Sequence, residues 1–225
     1  MVLFFVILMT NMGFWQLDRA EEKKQMLTLL TDDSLTQVTQ KSQMRKLPRF
    51  ANIQLNGRYL NAPQILLDNQ VDSGVQGYHV FTPFVIDGLN MTIMVNRGWL
   101  SKSNFTEDVL TINSNPTTIL GKINTPPQVG IQLGEIELDM KKKHQVITYF
   151  DKQKVSQFLY ESLCKDLNCL VSQNILWLKT NQDQGFKRDW NPIIMLPSKH
   201  TAYAVQWFAM TIVLILIFIY WLRKS

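Results

Sequence analysis

Residues 77–100, GYHVFTPFVIDGLNMTIMVNRGWL, are two runs rich in β-branched and aromatic residues on either side of Asp87-Gly88-Leu89-Asn90. Such runs suit a pleated, half-buried surface, and glycine and asparagine supply the backbone freedom of a tight reversal. The stretch therefore predicts a β-hairpin and sets the class of the central domain. Upstream, FANIQLNGRYLNAPQILLDNQ (50–70) carries Asn56-Gly57 between alternating apolar residues, which predicts a second hairpin with its turn at that dipeptide. Downstream, strands are expected at TTILGKIN (117–124), within HQVITYF (144–150) and at NILWLKT (174–180). KQKVSQFLYESL (152–163) instead repeats Val155, Phe158, Leu159 and Leu163 at helical spacing. Short connections favour an α+β domain, mainly antiparallel, built as a sheet or partly closed barrel with one packed helix. A parallel α/β fold is disfavoured, and no repeat, low-complexity linker or second soluble domain is visible.

Outside that domain the composition changes. Overall, 46% of the 225 residues are hydrophobic, an ordinary value for a soluble protein. From Ala202 to Leu222, however, 21 residues carry no charge, enough at about 1.5 Å per residue to cross a ~30 Å hydrocarbon core. At the other end Met1 to Leu17 is also uncharged, a shorter span of roughly 25 Å. It lacks a basic first region and a small-residue cleavage site, so an uncleaved anchor is expected rather than a signal peptide. The expected organisation is a first transmembrane helix at 1–17, a domain at 18–198, a second transmembrane helix at 199–222 and a tail at 223–225. Arg223 and Lys224 follow the second span, whereas Arg19, Lys23 and Lys24 are offset by Asp18, Glu21 and Glu22. By the positive-inside tendency both termini are cytoplasmic and the domain lies outside. After the first span, DRAEEKKQMLTLLTDDS (18–34) reads as a helical continuation ending near Asp32, followed by polar loop or extended chain up to Pro48.

The net charge of +5 is dispersed, and Lys141-Lys142-Lys143 reads as a solvated strand edge rather than a nucleic-acid patch. Cys164 and Cys169 would point apart on one continuous helix, so a bridge needs a turn through Asp166 to Asn168; bridged and free thiols both stand. The spacing excludes a C-x-x-C redox pair. The G-x-S-x-G, H-E-x-x-H, Walker and G-x-G-x-x-G patterns are all missing, and the expectation is a protein that is not an enzyme. His79 and His144 sit in strand-like sequence and read as structural or surface residues.

His200 differs in context. A helix capped by Ser198 would put it in the first turn, by the positive end of the macrodipole, where a neutral imidazole keeps a lone pair for a metal. His200, Tyr203, Ala204 and Trp207 would share one face, with Trp207 about 10 Å further along the axis. That stripe could supply an axial ligand and an aromatic surface for a large planar group. Tyrosine and tryptophan also anchor helices at membrane interfaces, and on the residues alone anchoring is the simpler reading. Gln206, an amide within an apolar run, is expected to bond to the first helix, at Gln16.

Four strings carry a resemblance over almost the whole chain: GFWQLDRAEEKKQML (13–27), GYHVFTPFVI (77–86), VNRGWL (95–100) and PSKHTAYAVQWF (197–208). In order and topology they resemble the surfeit locus 1 family, assembly factors for haem–copper cytochrome oxidases, called Shy-one proteins in yeast. The resemblance implies a bacterial inner-membrane protein with a periplasmic domain. It implies a role in maturing cytochrome c oxidase subunit I, with haem a bound transiently and its insertion assisted. His200 would be the axial ligand of the haem iron and Trp207 its packing surface; Tyr203 belongs to the same motif. Arg97-Gly98-Trp99 matches the family's R-G-W signature, read first as structural, with Arg97 facing a haem propionate or a partner. The implied partners are oxidase subunit I, haem a synthase, other assembly factors and the lipid bilayer. The alternative is a protein-only scaffold for a subunit I intermediate. Ser198 departs from the pattern, since many relatives carry an acidic residue there.

Overall fold

A computed structural model describes residues 1–128, 134–193 and 195–224. The chain forms two compact units, one of residues 32–190 and one pairing residues 1–31 with 191–225.

Among the described residues, the first unit is built on eight strands: β1 (Leu35–Gln37), β2 (Asn52–Tyr59), β3 (Gln64–Asp72), β4 (Val75–Ile86), β5 (Met91–Ser101), β6 (Thr117–Asn124), β7 (His144–Ile147) and β8 (Leu170–Leu178). β4 and β5 form the expected hairpin, reversed through residues 87–90, where Gly88 and Asn90 adopt positive φ. Five strands close a barrel: β2 pairs with β6, β6 with β8, β8 with β5, β5 with β4, and the end of β4 returns to β2. The other half of β4 pairs with β3, which carries β7, while β1 lies on β2. The domain is thus mostly antiparallel, as expected, and its barrel is closed rather than partly closed. Three pairs are parallel, β1–β2, β3–β7 and β5–β8, joined by connections too long for hairpins.

Alternate residues of all five barrel strands fill the interior, including Ile53, Leu55, Phe84, Ile93, Val95, Ile119, Ile123, Leu176 and Leu178. The outer face of β3, β4, β5 and β8 is apolar at Ile65, Leu67, Phe81, Met94 and Ile175. After a short helix α3 (Glu107–Leu110), helix α4 (Lys152–Leu159) covers it with Val155, Phe158 and Leu159, three of the four residues its periodicity singled out; the fourth, Leu163, packs there from the turn that follows. Asp151 caps α4 by accepting from the Gln153 and Lys154 amides at 2.9 and 3.0 Å. The helix then widens into a π turn, Tyr160–Cys164, and Cys164 is bridged to Cys169 across α5 (Lys165–Leu167) and Asn168, which has φ +49°. The turn required for a bridge is present.

Two local expectations fail for physical reasons. Asn56-Gly57 is not a turn but lies within β2, where the strand passes from β6 to β4, so Gly57 faces both Thr117 and Ile86. A Cβ there would collide with the Val85 carbonyl, so the glycine serves a close strand approach. The polar stretch before Pro48 is extended at β1, as expected, but it also holds a short helix, α2 (Lys41–Lys46).

The second unit is a pair of long helices, α1 (Val2–Thr31) and α6 (Pro197–Lys224). Among the described residues, α6 is the one helix long and apolar enough to cross a membrane. The expected first span, at the N-terminus, is not shown, because the uncharged run of α1 stops at Leu17 and Asp18, Arg19, Glu21 and Glu22 follow within the same helix. α6 begins at Pro197, so Ser198 lies inside the first turn rather than capping it. Proline suits that position because the amide it lacks would have no helical partner. Arg223 and Lys224 continue the helix of α6, and Ser225 lies outside the described residues.

Candidate functional site

α1 and α6 meet through small residues at seven-residue spacing, Gly13 and Ala20 on one and Ala204 and Thr211 on the other, all buried. Phe208 packs where Gly13 lacks a side chain: a Cβ on Gly13 would lie 2.5 Å from its ring. Phe14 meets the same ring edge-on at 5.3 Å. With Gly13 beside Phe208 and Gln16 beside His200, the helices run antiparallel.

On this seam His200 Nδ1 lies 2.8 Å from Gln16 Oε1. An amide oxygen only accepts, so Nδ1 is the donor in this contact, and in the neutral imidazole that tautomer places the lone pair on Nε2. Trp207 is half-buried two turns further along α6, and Tyr203 is 43% exposed. His200, Tyr203 and Trp207 therefore lie along one side of one helix, as the spacing predicted, with Ala204 of the same stripe turned into the seam. Gln206 is exposed; among the described residues the amide that bridges the helices is Gln16, and its partner is the histidine. The available signal was the i, i+3, i+7 spacing of Gly13, Gln16 and Ala20, which marks one face of α1. Near this face Arg19 pairs with Glu22, whose carboxyl it holds below the usual range, and stands 5.8 Å above the Trp15 ring.

Arg97 belongs to the barrel unit. It is 3% exposed, and two of its guanidinium nitrogens meet protein acceptors: Nε donates to the Gln184 carbonyl at 2.7 Å, and Nη1 to the Leu110 carbonyl at 3.1 Å, with Gln64 and Thr82 close by. It also lies over the Phe186 ring at 4.7 Å. Burial lowers its pKa to about 10, so it stays charged at neutral pH. Gly98 has φ +112°, and a Cβ there would stand 2.5 Å from the Lys187 carbonyl oxygen. Trp99 donates its indole N–H to the Gln70 carbonyl at 2.8 Å. Its main chain exchanges hydrogen bonds of 2.7 and 3.1 Å with Lys187, and the Phe186 amide donates to the Arg97 carbonyl at 2.7 Å. The R-G-W signature thus ties residues 184–187 against β5.

His79 is held near Asn96, 3.4 Å away, and meets Trp190 edge-on at 6.1 Å; burial pulls its pKa down to about 4. Trp190 in turn stacks on Trp177 at 4.9 Å, a pair that no sequence spacing announced. His144 stands on edge β7, packed edge-on against Phe105 at 5.6 Å. The three histidines remain apart, and among the described residues no three His, Cys, Asp or Glu side chains converge as a metal site.

The description of the SURF1 family fits residues 3–212 of this chain as a family match. A SURF1-like protein of Rickettsia felis is 25% identical, with 99% of this chain and 96% of that protein aligned. One from Rickettsia prowazekii is 24% identical over 100% of this chain and 89% of its own. A shorter match, 27% identical over 26% of this chain and 15% of the relative, is to the cytochrome oxidase assembly protein SHY1 of Saccharomyces cerevisiae.

Proposed function

The chain belongs to the SURF1 family, and on that premise we propose that it takes part in cytochrome oxidase assembly by binding haem a and assisting its insertion into subunit I. The name of the yeast relative supports the oxidase role, and the observation that carries the haem reading is the His200–Gln16 pair. The donor set fits a haem: one imidazole whose Nδ1 is engaged and whose Nε2 is available, beside the aromatic surfaces of Tyr203 and Trp207. A multidentate ion site would need several converging ligands instead. In this reading His200 holds the iron and Trp207 packs on the macrocycle. When bound, the haem supplies the redox centre destined for the oxidase. The chain's own residues bind and orient it, and the apolar faces of α1 and α6 shelter its hydrophobic tail. Arg97 is given the barrel-organising role, because its Nε and Nη1 already meet internal acceptors.

The same reading gives α1 and α6 as two spans of a bacterial inner membrane, with both termini cytoplasmic and the β unit periplasmic. The exposed Leu3, Phe4, Ile7, Leu8, Phe14 and Leu17 of α1 support lipid contact on that helix as on α6. Arg223 and Lys224 at the end of α6 support the orientation, and the Cys164–Cys169 bridge suits an oxidising compartment. Subunit I, haem a synthase and other assembly factors are the partners this role calls for.

The test is the optical spectrum of the full-length protein purified in detergent from cells making haem a. Wild type should carry haem a, and His200→Ala should carry little. Haem-free wild type, or undiminished haem in His200→Ala, would favour a protein-only scaffold for the oxidase subunit.

A further inference from the structure

We infer that Gln16 is a positioning residue for the iron ligand His200: its side-chain carbonyl fixes the imidazole in the Nδ1–H form and so reserves Nε2 for the iron. The inference rests on the haem reading of His200.

Gln16 shares a face of α1 with Gly13 and Ala20, the two buried residues of that helix, and is itself half-buried. An amide shielded in this way is costly unless it is bonded. Its oxygen lies 2.8 Å from His200 Nδ1, while Gln206, the side-chain amide of α6, is exposed. The contact depends on close helix approach, and the missing side chain at Gly13 provides it. Metal-ligating histidines commonly donate their second N–H to a carbonyl or carboxylate, which sets tautomer, orientation and basicity; loss of that partner typically weakens metal binding by about 10–100-fold. Here the partner comes from the other helix, so the ligand is oriented only when α1 and α6 are packed together. The charged group within electrostatic reach of His200, Glu22, is paired with Arg19.

Two measurements on the full chain in detergent micelles test this. The first, without haem, is the side-chain ¹⁵N spectrum of His200. Wild type should show Nδ1 protonated, Gln16→Leu should lose that preference, and Gln16→Glu, which keeps an acceptor oxygen, should retain it. The second is titration with haem a followed in the Soret band. Gln16→Leu should bind about 10–100-fold more weakly, Gln16→Glu should recover most of the affinity, and His200→Ala should abolish it. A wild-type proton on Nε2 overturns the inference. So does wild-type affinity in Gln16→Leu alongside loss in His200→Ala, and both results leave the haem reading standing. If Gln16→Glu binds as weakly as Gln16→Leu while keeping native helix content, the acceptor role is refuted. Unchanged binding in His200→Ala removes the haem reading and this inference with it.

Discussion

Replacing Gly98 by alanine should unfasten residues 184–187 from the barrel. At φ +112° the glycine occupies backbone space that a Cβ makes costly, about 1–3 kcal/mol. The added Cβ would stand 2.5 Å from the Lys187 carbonyl oxygen, a backbone atom with no flexible end to swing aside. Ordinary contact is roughly 3.4 Å or more, so Lys187 must retreat by about 1 Å. That retreat breaks the Trp99–Lys187 exchange at 2.7 and 3.1 Å and strains the Phe186–Arg97 bond at 2.7 Å. Two such bonds at about 1 kcal/mol each, added to the backbone term, give a destabilisation of about 3–5 kcal/mol. Urea unfolding of the full-length protein in detergent, followed by tryptophan fluorescence, reads it directly. Limited proteolysis should find new cleavage between Asp183 and Trp190. A loss below about 1 kcal/mol with no new cleavage would refute the reasoning.

Three further outcomes follow from the packing. His79 is neutral in the fold because burial lowers its pKa from 6.5 to about 4, whereas the unfolded chain binds the proton below about 6.5. Stability is therefore complete above that pH and falls as pH drops toward 4, by at most about 3 kcal/mol, and His79→Gln should flatten the urea midpoint over that window. Replacing Cys164 and Cys169 together with serine opens a loop of sequence separation 5 and should cost about 2 kcal/mol in the same assay, as should reduction of the wild type. Gly13→Val drives a side chain into the Phe208 ring and should part α1 from α6, lowering thermal stability by about 1–3 kcal/mol and shifting the His200 ¹⁵N signals; unchanged signals would count against the packed seam.

The hairpin at 77–100, the strand at 117–124 and the helix face of Val155, Phe158 and Leu159 were legible because each carries its own period. Closure of the barrel was not, since it depends on β2 switching partners at Gly57, and the Asn-Gly signal there points to a turn unless the Val85 carbonyl opposite is known. The parallel β5–β8 and β3–β7 pairs likewise follow from long-range pairing that no local spacing records. In the helix pair, the stripe of His200, Tyr203 and Trp207 followed from helical geometry, while the choice of Gln16 as the partner of His200 rather than of Gln206 required the rotation of α6 about its axis. Arg97 shows the reverse: a charged residue in a signature motif invites a ligand, yet its acceptors are main-chain carbonyls and neutral side chains brought from distant segments.

The central claim, a role in oxidase assembly exercised through His200, is tested most directly in cells. The gene is deleted, either wild type or His200→Ala is returned at matched protein levels, and the haem a band of the oxidase is measured in reduced-minus-oxidised spectra of the membranes. Deletion should diminish the band, wild type should restore it, and His200→Ala should leave it low. A band unaffected by deletion would contradict the assembly role, and full restoration by His200→Ala would contradict the haem-ligand role.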